Sequence, residues 1–383
     1  MGGARRRREP GAQRERQQDS HPEGSACGEP APLRVGLIGC GRMGMKHASV
    51  LSETPGLALV AVCDSSADRL AEVPEAFVPR DARFCRFEEL YEQAAVDLAV
   101  VATPPVCRLA PVTQALERGI AVLCEKPLAT DLGAADRMLE VAARSGTMLA
   151  VHHQFRMSAA LWHCQSLIAS GTIGEVVLVR GRGKAGRSGG IELLEIGTHL
   201  ADAMSVLAGP PEWCAASIQA GRRLVKRTDV RESRDVAPRE TDFGQVVGDR
   251  VVASYGFPAG VLGELHFLGY EERMPANYGI DVLGTAGQLA LRCSRHVQQP
   301  LWHLARPMEG TPGQLTDWEP IDVAGNGNQG LVEAFYREIL RAMRGEISVP
   351  CSGREGRAAL AMVLAAYQSH WEGGRRVVLP RGD

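Results

Sequence analysis

The sequence predicts an α/β protein in which a doubly wound, parallel-sheet domain precedes a second domain with antiparallel strands. Short, continuous apolar runs alternate with amphipathic stretches from Leu33 to about residue 153. Such runs are typical of strands buried on both faces, which pair in parallel and are joined by crossover helices. A glycine-rich turn directly follows the first run, as in nucleotide-binding sheets. After about Ser158 the runs alternate apolar and polar residues, which indicates antiparallel strands with one more polar face.

Length and composition fit two soluble globular domains. The chain has 383 residues, 45% of them hydrophobic, which is long for a single core and supports ordinary burial. The net charge of -2 gives no electrostatic reason to expect a nucleic-acid or membrane partner. No apolar run approaches the roughly 18 residues that a membrane-spanning helix needs. The ten cysteines form no C-x-x-C pair, so we expect reduced core residues of a cytoplasmic protein.

Residues 1–32 differ in composition from the rest, and we expect a disordered tail. The four arginines from Arg5 to Arg8 are followed by no apolar segment, which argues against a secretory signal. Acidic residues argue against a transit peptide, and the near balance of six arginines and five acids argues against a nucleic-acid arm. A misassigned amino terminus is the alternative to a solvated tail.

The first domain is predicted to span residues 33–153 and the second residues 154–383. Five apolar runs predict the strands of the first domain, at residues 33–38, 57–63, 97–102, 120–124 and 147–151. In the second domain we expect helices at residues 159–169, 192–207, about 331–343 and 354–371. Extended segments are predicted at residues 175–182, 213–219, 242–248, 250–256, 261–268, 279–283 and 288–292, with a charged loop at residues 222–241.

The glycine-rich turn predicts a dinucleotide-binding site. It precedes a predicted helix at residues 45–51 and reads Gly39-Cys40-Gly41-Arg42-Met43-Gly44. The glycines allow a tight turn, close approach of a pyrophosphate and close helix packing, while the helix N-terminus offers N–H groups to the anion. Asp64 ends the next strand, where its carboxylate is placed to accept hydrogen bonds from the adenosine ribose. That carboxylate repels a 2′-phosphate and favours NAD, although Arg69 leaves NADP as an alternative. A plain glycine turn beside a surface aspartate is the competing interpretation.

Two further loops follow strands at the same edge of the predicted sheet. Thr103 and Pro104 lie in the motif A-T-P-P, which is either ordinary turn punctuation or a border of the cofactor groove. Glu125 and Lys126 lie in E-K-P, where Pro127 biases Lys126 towards an extended conformation. We therefore expect these residues to contact the cofactor and Lys126 to face the cleft. The alternative for Lys126 is a solvated surface lysine.

Glu195 and His199 are spaced to share one face of a helix. A separation of four residues brings a carboxylate and an imidazole close enough for the first to orient or charge the second. An exposed ion pair is the alternative interpretation.

In combination, these residues resemble the Gfo/Idh/MocA family of oxidoreductases. The resemblance covers about residues 33–380 and rests on V-G-L-I-G-C-G-R-M-G with His47 downstream, A-T-P-P, E-K-P-L-A, H-H-Q-F-R-M, G-T-I-G-E, G-T-H-L-A-D and S-H-W-E-G-G-R-R-V-V-L-P. It implies a Rossmann domain followed by an α+β domain with a large, mostly antiparallel sheet, whose open face commonly mediates homodimers or homotetramers.

The resemblance also implies a catalytic trio of Lys126, Glu195 and His199. Glu195 stands where the family usually has aspartate, Arg108 where it usually has histidine, and Ser158 where many members have proline. The longer side chain of Glu195 leaves two roles open, direct contact with the substrate or orientation of His199 alone. The changes at Arg108 and Ser158 indicate an unusual subgroup.

The predicted reaction is hydride transfer between NAD and a secondary alcohol of a sugar, cyclitol or related polyol. Lys126 would stabilise the developing alkoxide and His199 would accept the hydroxyl proton. Arg156, Lys184 and Arg187 are candidates for binding substrate hydroxyls or a carboxylate, or are surface charges. No cluster of metal ligands is recognisable in the sequence. The alternatives are a redox-assisted glycosidase that forms a transient 3-keto sugar, and a cofactor-binding regulator without turnover.

Overall fold

The structure is a computed structural model, and it describes residues 31–184, 190–236, 242–269, 277–294, 297–305, 318–323 and 328–380. Residues 1–30 of the predicted tail and Arg187 lie outside the described residues. From Pro32 onward the chain belongs to one compact unit.

The first sheet is wholly parallel, as predicted from its continuous apolar strands. Its strands are β1 Leu33–Ile38, β2 Leu57–Cys63, β3 Arg83–Phe84, β4 Leu98–Val101, β5 Ala121–Cys124 and β6 Leu149–Val151. They lie in the order β3-β2-β1-β4-β5-β6. The helices between them are α1 Arg42–Glu53, α2 Ala67–Glu72, α3 Phe87–Gln93, α4 Leu109–Glu117 and α5 Leu132–Ser145. The strand order reverses between β1 and β4, which is where such sheets bind ligands.

The second sheet is large and almost entirely antiparallel. Its strands are β7 Val176–Arg182, β8 Trp213–Ala220, β9 Arg223–Leu224, β12 Arg250–Gly256, β13 Leu262–Leu268, β14 Gly279–Gly284, β15 Gln288–Arg292, β16 Leu301–Leu304, β17 Trp318–Pro320 and β18 Val377–Val378, while β10 Arg231–Glu232 and β11 Gln245–Val246 form a separate pair. The order is β17-β16-β15-β14-β7-β13-β12-β8-β18, with β9 beside β8, and β7 and β13 are parallel.

Further helices follow β6, and they divide between the second sheet and the first domain. They are α6 Ala159–Ala169, α7 Ile191–Glu195, α8 Gly197–Ala208, α9 Ser233–Val236, α10 Asn328–Met343 and α11 Gly353–Trp371. Short 3₁₀ turns span Arg80–Ala82, Pro105–Cys107, Gln154–Met157, Arg227–Asp229 and Pro258–Gly260. No helix in the described part of the chain combines the length and apolar character needed to cross a bilayer.

Some predicted boundaries differ from the structure. The helix expected at residues 45–51 begins at Arg42, so the last residues of the glycine turn belong to its first turn. The helix expected at residues 192–207 is divided at Ile196 into α7 and α8. Within the charged loop, the described residues form the short elements β9, β10 and α9, and residues 237–241 lie outside the description. Of the strand expected at residues 242–248, only Gln245–Val246 is paired.

Local sequence signals explain several helix ends near the site. Asp131 caps α5 by accepting a hydrogen bond from Ala134 N, and α5 ends at Gly146 with φ 66°. Ser352 and Glu355 form a reciprocal capping box at the start of α11.

The helix α10 lies late in the chain but packs into the core of the first sheet. Its buried residues Val332, Phe335, Tyr336 and Ile339 belong to the same apolar cluster as β1 and β4. The apolar face of α10 therefore packs on the Rossmann core, across the predicted domain boundary. The division at residue 153 stays a prediction.

Candidate active site

The turn after β1 requires glycine at its first and last glycine positions. Gly39 has a φ of 98°, and a Cβ there would lie 2.8 Å from Thr103 N. A Cβ on Gly44 would lie 1.8 Å from the carbonyl oxygen of Gly39. The turn therefore closes against both its own helix and the loop after β4.

The middle of this turn fits a dinucleotide phosphate. A Cβ on Gly41 would meet no atom within 4 Å, so the backbone there borders open space. Gly41 is the N-cap of α1 and supplies no side-chain cap, which leaves the N–H groups of Arg42 and Met43 in the first turn for an anion. These residues therefore fit the pyrophosphate of NAD.

Asp64 joins the end of β2 to the glycine turn. Its carboxylate accepts hydrogen bonds from Cys40 N at 2.8 Å and from Ser66 N at 2.9 Å, and only 6% of the residue is exposed. Arg69 Nη1 lies 3.7 Å from the same carboxylate. The carboxylate has further lone pairs for a ribose hydroxyl. Its binding of the ribose stays a prediction, and Arg69 is close enough to weaken the discrimination against a 2′-phosphate.

Arg108 braces the loops that follow β4 and β5. Its Nε donates to Thr103 O at 2.9 Å, and its Nη1 donates to the carbonyl oxygens of Glu125 and Pro127. The side chain is 3% exposed, and burial lowers the pKa of the guanidinium. The hydroxyl of Thr103 is buried and has no hydrogen-bond partner among the described residues, so it can bond a ligand in the groove. Thr103 and Pro104 are thus held beside Lys126.

Arg108→Met is expected to weaken NADH binding about tenfold and to lower kcat by a similar factor, because three backbone carbonyls lose their donor. Fluorescence titration of NADH and steady-state kinetics measure both effects. Arg118→Met is the matched control, because Arg118 flanks the other end of α4 and is partly exposed, and this variant should behave like the wild type. Unchanged binding and turnover in Arg108→Met would show that the loops hold their shape without this brace.

Glu125 is the centre of a buried hydrogen-bond network. Its Oε1 accepts from His47 Nε2 at 2.9 Å and His152 Nδ1 at 2.7 Å, and its Oε2 accepts from Lys126 N at 3.0 Å. The Tyr336 hydroxyl donates to His47 Nδ1 at 2.8 Å, which is consistent with a neutral His47 that donates through Nε2. Burial would raise the pKa of Glu125, but the contacts with His152 and His47 outweigh it and hold the pKa well below the usual value. This carboxylate is occupied in fixing the loop that carries Lys126, which favours a positioning role over the predicted direct contact with the cofactor.

The same network contains the donor types of a metal site. His47, Glu125 and His152 offer ligand atoms within 4.8 Å of one another, a set that sequence spacing did not indicate. Both histidines contact one carboxylate oxygen at hydrogen-bond distances, and Tyr336 occupies the other nitrogen of His47. These contacts are those of a hydrogen-bond network that supports Lys126.

Lys126 lies just beyond the carboxyl end of β5 and reaches the second domain. Its ammonium Nζ donates to the main-chain oxygen of Glu195 at 2.9 Å. The contact with Glu195 thus uses the backbone carbonyl, and it brings the cation to the junction of α7 and α8.

Glu195 and His199 lie on either side of the break between α7 and α8. Nδ1 of His199 has no hydrogen-bond partner among the described residues, so the predicted carboxylate–imidazole hydrogen bond is not seen at this nitrogen. The ring of His199 instead packs on Phe155, with ring centroids 4.8 Å apart. Burial, and then the charge of Lys126, hold the pKa of His199 well below its usual value, so the imidazole is neutral at neutral pH and can accept a proton.

Arg156 is engaged by other protein groups. Its guanidinium donates to Asp202 Oδ1 at 2.7 Å and to Pro350 O at 3.0 Å, and it contacts Glu355 Oε1 at 2.5 Å. Asp202 is 2% exposed. These contacts favour a structural role for Arg156 over the predicted role in substrate binding.

Lys184 is connected to the site through aromatic rings. Its ammonium lies 4.8 Å from the ring centroid of Tyr278, which neighbours Phe155 at 6.0 Å. Phe155 in turn packs on His199. Sequence reasoning missed Phe155 and Tyr278. Phe155 lay within a quoted motif, whereas Tyr278 belongs to no pattern that the sequence displays.

The fold and the glycine turn define a dinucleotide-binding protein of the Rossmann class. The chain belongs to the Gfo/Idh/MocA oxidoreductase family: residues 33–153 match its NAD-binding Rossmann fold and residues 165–379 its C-terminal alpha/beta domain. The predicted resemblance, the fold class and the NAD cofactor are therefore confirmed, and the protein is an oxidoreductase.

Curated relatives align over most of the chain. D-apiose dehydrogenase of Paraburkholderia graminis is 25% identical over 358 residues, which is 88% of this chain and 87% of the relative. D-glucoside 3-dehydrogenase of Escherichia coli is 29% identical over 378 residues, covering 91% of this chain and 98% of the relative. The crystal structure of the WlbA dehydrogenase of Bordetella pertussis, in complex with NADH and UDP-GlcNAcA, has the same fold, with a TM-score of 0.69, 22% identity and coverage of 91% of this chain and 99% of that chain.

Proposed function

We propose that this protein is an NAD-dependent dehydrogenase that acts on a secondary alcohol of a sugar, cyclitol or related polyol. The observation that carries the proposal is the ammonium of Lys126 held at the main chain of Glu195, near the buried imidazole of His199. The relatives named for oxidation of apiose and of glucosides support the substrate class.

The proposed roles follow from the negative charge that develops on the substrate oxygen during hydride transfer. When bound, the nicotinamide accepts or donates the hydride. The substrate carbinol must lose its hydroxyl proton as the hydride leaves, so negative charge develops on the oxygen. Lys126 stabilises that charge, and His199, neutral at neutral pH, accepts the proton. Lys184 lies at the end of the aromatic row formed by Tyr278 and Phe155, where it can bond a substrate hydroxyl or carboxylate.

The cofactor-binding site is proposed to favour NAD over NADP. Asp64 holds a buried negative charge at the end of β2, where the adenosine ribose is expected, and Arg69 offsets it only from an exposed position. NADH is expected to bind at least about tenfold more tightly than NADPH. Fluorescence titration with both cofactors measures the ratio, and tighter binding of NADPH would contradict the role given to Asp64.

A substrate panel tests the proposed reaction. The purified full chain is mixed with NAD and, separately, with myo-inositol, scyllo-inositol, D-apiose and methyl β-D-glucoside, and NADH formation is followed by absorbance. At least one member should give steady NADH production. Release of p-nitrophenol from a p-nitrophenyl glucoside without net NADH would favour the redox-assisted glycosidase. Tight NADH binding without turnover on a wide polyol set would favour the non-catalytic regulator.

The assembly is proposed to be a homodimer or homotetramer formed through the second sheet. On the face opposite α8 and α11, Val252 is 41% and Leu262 50% exposed, which is high for large apolar residues of central strands. Light scattering of the purified protein measures the assembly. The described cysteines are all free thiols, which supports the proposed cytoplasmic location.

A further inference from the structure

Two buried histidines meet beside Lys126. The rings of His153 and His199 contact edge to face, with centroids 5.7 Å apart and an interplanar angle of 90°. His153 is 0% exposed. Neither of its ring nitrogens has a hydrogen-bond partner among the described residues, and the same holds for Nδ1 of His199. Buried polar groups are nearly always hydrogen-bonded, so three such nitrogens in two touching rings require a physical reason.

The surroundings of His153 keep its imidazole neutral. Its Nδ1 lies 3.9 Å from Asp202 Oδ2, and Asp202 is bound by Arg156. Burial, which outweighs the attraction of Asp202, lowers the pKa of His153 to about 4, and the positive charges of Arg156 and Lys126 act in the same direction. A neutral imidazole carries one donor and one acceptor nitrogen. His153 can therefore accept a hydrogen bond from a neighbour at neutral pH.

A proton-accepting His199 needs such a neighbour. If one ring nitrogen takes the substrate proton, the other carries N–H and requires an acceptor that fixes the tautomer and the ring orientation. Nδ1 of His199 has no hydrogen-bond partner among the described residues, so the carboxylate of Glu195, the predicted orienting group, does not bond this nitrogen. His153 is the polar ring that does contact it.

We propose that His153 is the positioning residue of His199, and that it accepts the Nδ1–H hydrogen bond of His199 through one buried water molecule. This inference rests on the proposed dehydrogenase function. Nε2 of His199 then carries the lone pair that accepts the hydroxyl proton, while the Nδ1–H proton stays in place and the hydride leaves with its electron pair to NAD. The bridging water satisfies both rings at once. Asp202 lies behind His153, where its negative charge stabilises the imidazolium that forms on His199.

The histidine variant His153→Phe separates this role from that of a core residue. Phenylalanine keeps a flat ring of similar size and removes both nitrogens, which have no hydrogen-bond partner in the described structure. If His153 only fills space, the variant should gain stability and keep full activity, because a buried polar group has been replaced by an apolar one. If His153 positions His199, activity should fall although the variant stays folded and its cofactor site is intact.

The expected result for His153→Phe is a folded protein with unchanged NADH affinity and a kcat about tenfold or more lower on the panel substrate that reacts. His153→Asn, which retains an acceptor, should recover part of the lost kcat. His303→Phe is the matched control, since His303 also has a buried nitrogen without a described partner but lies on β16, and it should leave kcat unchanged.

A second measurement is independent of any substrate. Long-range nitrogen–proton correlation spectra of the full chain labelled with ¹⁵N-histidine report the tautomer of each ring. His199, assigned by its loss in His199→Gln, should be a single Nδ1–H tautomer in the wild type and a mixture in His153→Phe. An unchanged His199 signal in His153→Phe overturns the inference, whether or not a panel substrate reacts. Absence of turnover on the panel, with the expected tautomer change, counts against the proposed function alone.

Discussion

Lys126→Met is expected to lower kcat by about 10²–10³-fold or more while the Kd of NADH stays within about threefold of the wild-type value. The reason is that other side chains hold the backbone of the loop that carries Lys126. Lys126 N and the adjoining loop are held by Glu125, and the loop carbonyls by Arg108, so the backbone beside the cofactor groove keeps its shape without the ammonium. What disappears is the cation at the main chain of Glu195, which would otherwise stabilise the alkoxide. The loss should therefore appear in turnover and leave cofactor binding nearly intact.

Stopped-flow measurement of NADH formation, together with fluorescence titration of NADH, tests this expectation. Lys226→Met is the control, because Lys226 is an exposed lysine in the charged loop and should retain full turnover. A Lys126→Met enzyme with wild-type kcat would remove the lysine from the reaction. A variant that lost NADH binding and turnover together would instead make Lys126 chiefly a cofactor ligand.

Arg156→Met is expected to reduce the free energy of unfolding by about 3–5 kcal/mol, because it leaves Asp202 buried without its cation. Asp202 is 2% exposed and accepts from Arg156 Nε at 3.0 Å and from Nη2 at 2.7 Å. The same guanidinium also reaches Pro350 O, next to the start of α11. Its removal therefore loosens the contact between α8 and the segment before α11.

Urea denaturation of the wild type and of Arg156→Met measures the difference in their free energies of unfolding. The double variant Arg156→Met, Asp202→Met should recover a large part of the lost stability, since it removes both charges together. The single variant Arg34→Met, which breaks the exposed ion pair with Asp97, is the control and should unfold close to the wild type. A raised KM with unchanged unfolding in Arg156→Met would restore the substrate-binding role that the sequence suggested.

Periodicity and chain order predicted the framework of the fold but not its side-chain contacts. The strands β1 and β2 were predicted residue for residue, because a parallel strand covered on both faces is almost entirely apolar, with the exposed Arg34 as the exception in β1. The glycine turn, Asp64 and Lys126 were recognisable because each follows a strand at the same edge of the sheet. By contrast, the break at Ile196 is marked in the sequence by Gly197, but a single glycine inside a helical pattern is tolerated and does not by itself predict a break.

The least predictable part of the site is the set of side chains that hold the proposed catalytic residues in place. Arg108 donates hydrogen bonds to carbonyl oxygens 17 and 19 residues away, and Arg156 donates to Asp202 at a separation of 46 residues. No local pattern encodes such contacts, since they depend on how complete elements pack. His153 lay inside the quoted motif H-H-Q-F-R-M, but its contact with His199 depends on the packing of α8 against the segment that follows β6.

The contact between Tyr336 and His47 has a consequence for the order of events during synthesis. The two residues are 289 positions apart, yet their hydrogen bond closes the network around Glu125. Until the ribosome has released α10, the first sheet lacks Phe335 and Ile339 from its core, and one nitrogen of a buried histidine lacks its donor. The cofactor-binding domain is therefore synthesised first, but its apolar core is complete only after α10 has been synthesised. The nascent chain exposes an incomplete apolar surface for most of its elongation.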